Sequence, residues 1–158
     1  NFSIKTRLGI DGNSEFIRLL PTINSFPLRF ITVHARNAAQ MYDGACNLKA
    51  FNEILSLAKM PVVYNGDVPF PVETKISGAE SMMIGRSFIR HLSSLDNIDS
   101  LLNDYIELSR RELYGDKAVL GRMKELLAYW KELPRWRRLW NVIKITRSVD
   151  ELKRVIKS

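Results

Sequence analysis

The sequence predicts an α/β chain in which four consecutive strand–helix units form half of an eight-stranded barrel, followed by an all-α bundle. Short apolar runs are each stopped by turn residues, as at Asn65-Gly66-Asp67 and Gly85-Arg86. Such runs suit strands of a parallel sheet covered on both faces. Amphipathic segments separate them, and strand alternating with helix means parallel βα units. After Arg86 the periodicity is helical only. Four units also suit a small doubly wound sheet. Lys5, His34, Asn65 and Arg86 favour the barrel, because each stands where a strand leaves the sheet and barrel strand ends converge on one mouth.

Phe2 to Leu8 alternates as a strand does and ends in Gly9-Ile10-Asp11-Gly12-Asn13. A helix is expected from about Ser14, with Asn13 as N-cap and Phe16, Ile17, Leu19 and Leu20 as its stripe. Pro21 makes it short or bent. Leu28 to Val33 is the second strand, ending in His34-Ala35-Arg36. Leu48, Phe51, Ile54, Leu55 and Ala58 mark the next helix. Met60 to Tyr64 is the third strand, and a weak helix from about Val72 to Ile76 leads to the fourth, Ser81 to Ile84. Phe88 to Leu92 begins the last helix of the half-barrel.

In the bundle, Asp96 is expected to cap a helix from Asn97 to about Tyr114, with Ile98, Leu101, Leu102, Tyr105, Ile106 and Leu108 inward and Gly115 at its end. Leu120, Met123, Leu127 and Trp130 form one face of the next helix. Pro134 suits the first turn of a third, whose stripe is Trp136, Leu139, Trp140 and Ile143. Ser148-Val149-Asp150-Glu151 is a capping-box pattern opening the last.

With 158 residues, 46% of them hydrophobic, the chain can bury a real core. No apolar run approaches the ~18 residues of a membrane span, and no charged-then-apolar leader is visible, so a cytoplasmic protein is expected. Cys46 as the single cysteine excludes an internal disulfide and a multi-cysteine zinc site, and no metal is expected. Lying in a loop with no histidine placed beside it, Cys46 reads as an inert small residue.

The net charge of +7 is concentrated. From Leu120 onward there are 11 Lys/Arg against 4 Asp/Glu, whereas the first 119 residues hold 13 of each. The asymmetry points to a polyanionic partner for the C-terminal segment. Arg122, Lys124, Arg135, Arg137, Arg138, Lys144 and Arg147 carry it, with Arg137, Lys144 and Arg147 on about one helical face. A solvated surface and a nucleic-acid surface both remain open on these residues alone.

At the strand ends, Gly66 and Gly85 let a ligand approach the backbone, and Arg86 offers a charged fork for a phosphate. In barrels the loops after the last two strands are a common phosphate site. Singly, Lys5 also suits a solvent-facing strand position, His34 a core histidine, the glycines plain turns and Arg86 a helix cap. Together at one mouth they favour cofactor binding.

IKTRLG, ITVHAR, PVVYNGDV and GAESMMIGR, in this order and at these spacings, resemble the second half of a tRNA-dihydrouridine synthase. Ala35 stands where that family usually has glycine, and Asn37 where it often has threonine. The resemblance covers the whole chain. It implies the second half of a (β/α)8 TIM barrel over residues 1–94 and a helical tRNA-binding domain over 95–158. It implies FMN at the barrel mouth, NADPH as reductant, and reduction of a uridine in the tRNA D-loop to dihydrouridine. The residues matching Lys5 and His34 contact the flavin group; those matching Asn65, Gly66, Asp67, Gly85 and Arg86 hold its phosphate. Arg36 is placed with the bundle cations as a tRNA contact. The family's general acid is a cysteine in the first half of the barrel, which Cys46 does not match. No catalytic residue is therefore expected here, and the chain alone is expected to be inactive, needing the N-terminal barrel half in the same or another chain. A different FMN- or phosphate-binding barrel oxidoreductase, and a non-catalytic helical RNA-binding module, are the alternative readings.

Overall fold

Alternating residues from Phe2 to Arg7 form strand β1, which lies parallel to β2 (Leu28–His34); β2 lies parallel to β3 (Val62–Asn65), and β3 to β4 (Ser81–Met83). The computed structural model describes residues 2–157, and among these the sheet has four strands in sequential order. Helix α1 (Glu15–Ile23) joins β1 to β2, and α2 (Leu48–Leu57) joins β2 to β3. Helix α3 (Arg86–Leu92) follows β4.

Alternation along the strands sorts the sheet into two unlike faces. Ile31, Val33, Ala35, Val62 and Tyr64 point to one side and form a core with Phe16 and Leu20 of α1 and Phe51 and Ile54 of α2. The opposite side carries Lys5, Arg7, Thr32, His34, Asn65 and Ser81. Phe30, Val63 and Met83 share that side, and successive residues Ile31 to His34 and Val62 to Tyr64 are buried, so β2 and β3 are covered on both faces as their sequences suggest, with the side away from the helices carrying most of the polar groups.

Two local expectations are corrected here. The N-cap of α1 is Ser14, not Asn13, and Glu15 instead gathers the preceding loop: its carboxylate accepts the N–H groups of Ile10 (2.9 Å), Asp11 (3.1 Å) and Gly12 (2.6 Å). These donors hold the Glu15 carboxyl below its usual range, backbone contacts with Ile10 and Gly12 first. Pro21 lies inside α1. No helix forms at Val72–Ile76, and residues 66–80 run as an irregular connection. Pro69 and Pro71 push their preceding residues toward extended backbone, and five residues are too few to nucleate a turn alone.

The chain divides into two compact units, one reaching to Phe88 and the other starting at Ile89. The second unit contains α4 (Ile98–Glu112), α5 (Asp116–Ala128), α6 (Pro134–Ile143) and α7 (Val149–Ile156). Asn97, not Asp96, is the N-cap of α4, and the buried stripe is Ile98, Leu102, Ile106 and Ser109, leaving Leu101 and Leu108 exposed. Gly115, at φ +84°, precedes α5 and does not close α4, which ends at Leu113. Val119, Met123 and Leu127 of α5 pack with Trp136 and Ile143 of α6 and Val149 and Leu152 of α7. The Trp130 and Trp136 rings lie 4.7 Å apart, and Trp130 Nε1 donates to the Ile89 carbonyl at 2.7 Å. Pro134 sits in the first turn of α6, and Ser148 caps α7 by accepting the Glu151 N–H at 3.1 Å. Among the described residues no helix is long and apolar enough to cross a membrane.

Candidate functional site

The register of the parallel strands lines up one polar row across the sheet. Arg7 is level with His34, His34 with Asn65, and Asn65 with Met83. Two residues earlier on the same face come Lys5, Thr32, Val63 and Ser81. Lys5, His34 and Asn65 therefore share the face opposite the helices, at the carboxyl ends of their strands. Asn65 Nδ2 donates to the Met83 carbonyl at 2.9 Å and so ties β3 to the exit of β4, where Gly85 and Arg86 follow.

Asp67 gathers the loops at this end. Oδ1 accepts Arg36 Nη1 at 3.1 Å and Arg86 Nη2 at 3.2 Å; Oδ2 accepts Arg36 Nη2 at 2.5 Å and the Cys46 thiol at 3.8 Å. The Arg36 guanidinium, with Arg86 beyond it, holds the Asp67 carboxyl below its usual range. Arg36 is 1% exposed and also donates to the Gly44 carbonyl. This corrects its assignment as a tRNA contact: its side chain turns inward to Asp67.

His34 is 6% exposed, and its pKa is pushed down to about 4, by burial first and then by the cations Arg7, Lys5 and Arg36. At neutral pH it is an uncharged imidazole, one ring nitrogen donating and the other accepting. Burial first, and then the Cys46 thiol beside it, raises the Tyr64 hydroxyl.

The two site glycines differ. A Cβ on Gly66 would come within 2.5 Å of Tyr64 Oη and 2.7 Å of Cys46 Sγ, so Gly66 is demanded by the protein's own packing. A Cβ on Gly85 would meet nothing within 4 Å, so the backbone there is open to a ligand.

Two residues of the mouth escape the sequence reading. Arg7 Nη1 donates to the carbonyls of Asn37 (2.7 Å) and Met41 (2.9 Å), bracing the loop after β2. Tyr42, in that loop and 53% exposed, has the Arg86 guanidinium 4.1 Å from its ring centre, Arg7 at 5.6 Å and the His34 ring at 6.2 Å. Period two from Lys5 places Arg7 on the same face and could have found it. Tyr42 has no such local signal, because only the folded-back loop brings it to the strand ends. Met41, at φ +52°, marks the tight bend of that loop.

In the helical unit the expected cations fall into two groups. Arg135 is bound to Asp99 (2.8 Å) and the Ile156 carbonyl (3.1 Å), Lys124 to the carbonyls of Lys144 (3.0 Å) and Thr146 (2.7 Å), and Arg122 lies 3.8 Å from Glu112. Arg137, Arg138, Lys144 and Arg147 are exposed, Arg137 donating to the Glu132 carbonyl at 2.9 Å and lying 3.8 Å from its carboxylate. α6 ends at Ile143, so Lys144 caps it and Arg147 lies in the following turn; the two do not extend a helical face with Arg137. Among the described residues no group of three or more His, Cys, Asp or Glu could hold a metal ion.

Residues 1–131 match the family model described as dihydrouridine synthase (Dus). A probable tRNA-dihydrouridine synthase of Rickettsia conorii is 33% identical over 82% of the chain and 41% of that relative. The tRNA-dihydrouridine(16) synthase of Neisseria meningitidis serogroup B is 24% identical over 96% of the chain and 52% of that relative. A probable tRNA-dihydrouridine synthase of Rickettsia typhi is 33% identical over 53% of the chain and 27% of that relative. The chain spans about half the length of these relatives, or less.

Proposed function

The chain belongs to the dihydrouridine synthase family, and from that membership we propose that it is the FMN-phosphate and tRNA-gripping part of a tRNA-dihydrouridine synthase. The observation that carries this reading is the convergence of Lys5, Arg7, His34, Asn65 and Arg86 at one end of a parallel sheet, beside the open backbone of Gly85. The residues suit FMN. Lys5, Arg7, Arg36 and Arg86 against Asp67 leave the strand ends cationic. Bound there, FMN supplies hydride transfer to a uracil ring, with NADPH as reductant.

Lys5 would hold a cation beside the flavin ring, where positive charge would favour the anionic reduced form. Neutral His34 offers the ring a hydrogen bond without adding charge. Arg86, held by Asp67 on one side and by Tyr42 on its face, keeps its other N–H groups for the phosphate. Tyr42 gives the mouth an exposed aromatic surface. The Cys46 thiol is turned to Asp67, so the proton for the reduced base comes from outside these residues, from the cysteine the family carries in the first barrel half. β1 and β4 each pair with one neighbour among the described residues, and the other barrel half completes the sheet along them. The exposed cations of the helical unit hold tRNA phosphates, giving affinity and register while the mouth takes the flipped base.

FMN titration of the chain joined to the first half of the barrel, followed by flavin fluorescence, tests the reading. One FMN per protein is expected, together with NADPH-dependent dihydrouridine in added tRNA. Absence of saturable flavin binding by a folded, joined protein would overturn it.

A further inference from the structure

A helix leaves its last carbonyl groups without partners inside the helix. At the end of α6 the donor comes from α5: Lys124 Nζ donates to the carbonyls of Lys144 at 3.0 Å and Thr146 at 2.7 Å. A cation at this position also meets the negative end of the helix dipole. Thr146 is buried, and its Oγ1 donates to the Ile143 carbonyl at 2.8 Å. On the far side of the turn, the Ser148 hydroxyl accepts the Glu151 N–H, and the Glu151 carboxylate accepts the Arg147 N–H at 2.8 Å. The turn is therefore pinned at both ends, while Lys144, Ile145 and Arg147 are exposed, Ile145 by 67%.

We infer that the turn from Lys144 to Arg147 is a pre-organised phosphate-contacting element for RNA, and that Lys124 is its internal brace and not a phosphate ligand. The inference rests on the RNA-binding reading given above. Lys124 has three N–H donors and directs two at carbonyls of the turn. A turn ordered before binding does not have to be ordered on binding, which is where pre-organisation adds affinity.

The test is binding of a tRNA transcript to the chain joined to the first half of the barrel over a series of KCl concentrations, with amide hydrogen exchange of residues 144–148 measured alongside. Lys144→Gln and Arg147→Gln should each lower the slope of log affinity against log salt by about 0.7–0.9, the loss of one phosphate contact, and leave exchange unchanged. Lys124→Gln should speed exchange in the turn and weaken binding severalfold at fixed salt with the slope kept. A slope lowered in Lys124→Gln as it is in Lys144→Gln would overturn the brace, as would unchanged exchange, or unchanged binding beside faster exchange. Should Lys124→Gln not fold, the unmodified protein decides: saturating tRNA should shift the Lys144 side-chain nitrogen resonance and leave that of Lys124 in place, and equal shifts would overturn the brace. If Lys144→Gln and Arg147→Gln both keep parental affinity and slope, it is the RNA-binding reading of this face that falls.

Discussion

Arg36 and Asp67, 31 residues apart in sequence, meet through two N–H···O contacts, Nη1 to Oδ1 at 3.1 Å and Nη2 to Oδ2 at 2.5 Å. The pair ties the loop after β2 to the loop after β3. Arg86 adds the exit of β4 to the same carboxylate at 3.2 Å. The loops at the strand ends are thereby held by one acidic residue.

Removing that acid should loosen them all. Asp67→Asn leaves the Arg36 guanidinium buried without its counter-charge, a change that costs about 3–5 kcal/mol when both partners are buried. The Asp67 side chain is 54% exposed, so solvent screening reduces the cost, and about 2 kcal/mol is expected. Urea unfolding at pH 7 measures it. Because the folded Asp67 carboxyl sits below the unfolded value of about 3.9, its contribution is present above that pH and is lost as pH falls through the folded value. Asp67→Asn should show a shallower acid loss of stability than the parent.

His34 titrates in the opposite sense from a paired histidine. Its pKa falls from about 6.5 in the unfolded chain to about 4 in the fold. Between these values the unfolded chain binds the extra proton, so stability rises with pH across this window and is fully present above about 6.5. His34→Gln should flatten the stability profile between pH 4 and 6.5. In the parent, the imidazole resonance should move with a midpoint near 4. A midpoint near the ordinary histidine value would contradict the buried, cation-flanked position.

Within the proposed FMN site, Arg86→Ala removes a charge-assisted contact of about 1.5–3 kcal/mol. In the chain joined to its barrel partner half, FMN affinity should fall roughly 10- to 150-fold without loss of the sheet. Equilibrium dialysis of flavin with circular dichroism checks both. Parental FMN affinity would make Arg86 a structural partner of Asp67 and Tyr42 alone.

The exposed cations of the helical unit carry the proposed tRNA contact. Arg137→Glu with Lys144→Glu should weaken tRNA binding at ~100 mM salt by about 1 kcal/mol or more, through lost counterion release. Fluorescence anisotropy of labelled tRNA measures it. Neither side chain is buried, so the helical core around Trp130 and Trp136 should stay intact.

Most of the strands and helices were legible because their signals are local: period two in Phe2–Arg7, the 3.6 period in Leu120–Trp130, the capping pattern at Ser148–Glu151. Val72–Ile76 failed for the same reason. A short apolar-polar stretch looks helical by itself, while flanking prolines and contacts with the core decide its path. The positions of Lys5, His34, Asn65 and Arg86 at strand ends followed from where each run stops. Arg36 did not follow, since a cation two residues past a strand reads as exposed, and only a partner far along the chain turns it inward. Nor did Lys124. Counting charge cannot distinguish a lysine facing solvent from one satisfying carbonyls of the next turn.

The 158 residues expressed alone should not reduce uridine, for three separate reasons. The single cysteine, Cys46, is turned to Asp67 and does not match the family's general acid, so general acid catalysis, typically ~10²–10⁴-fold, is expected to be lost. Among the described residues β1 and β4 each present an unpaired edge, and open edges recruit other strands, so dimers or aggregates are expected. Four strands build only part of the proposed eight-stranded mouth, leaving a flavin ring at their ends without the walls of the other strands and open to water and oxygen. Size-exclusion chromatography, flavin absorbance and a dihydrouridine assay with NADPH and FMN measure the three consequences separately. Supplying the other barrel half, joined or as a separate chain, should restore flavin colour and activity together. Turnover by a monodisperse 158-residue monomer would show that a proton donor and a closed site exist within these residues, and would move the active site away from the strand ends.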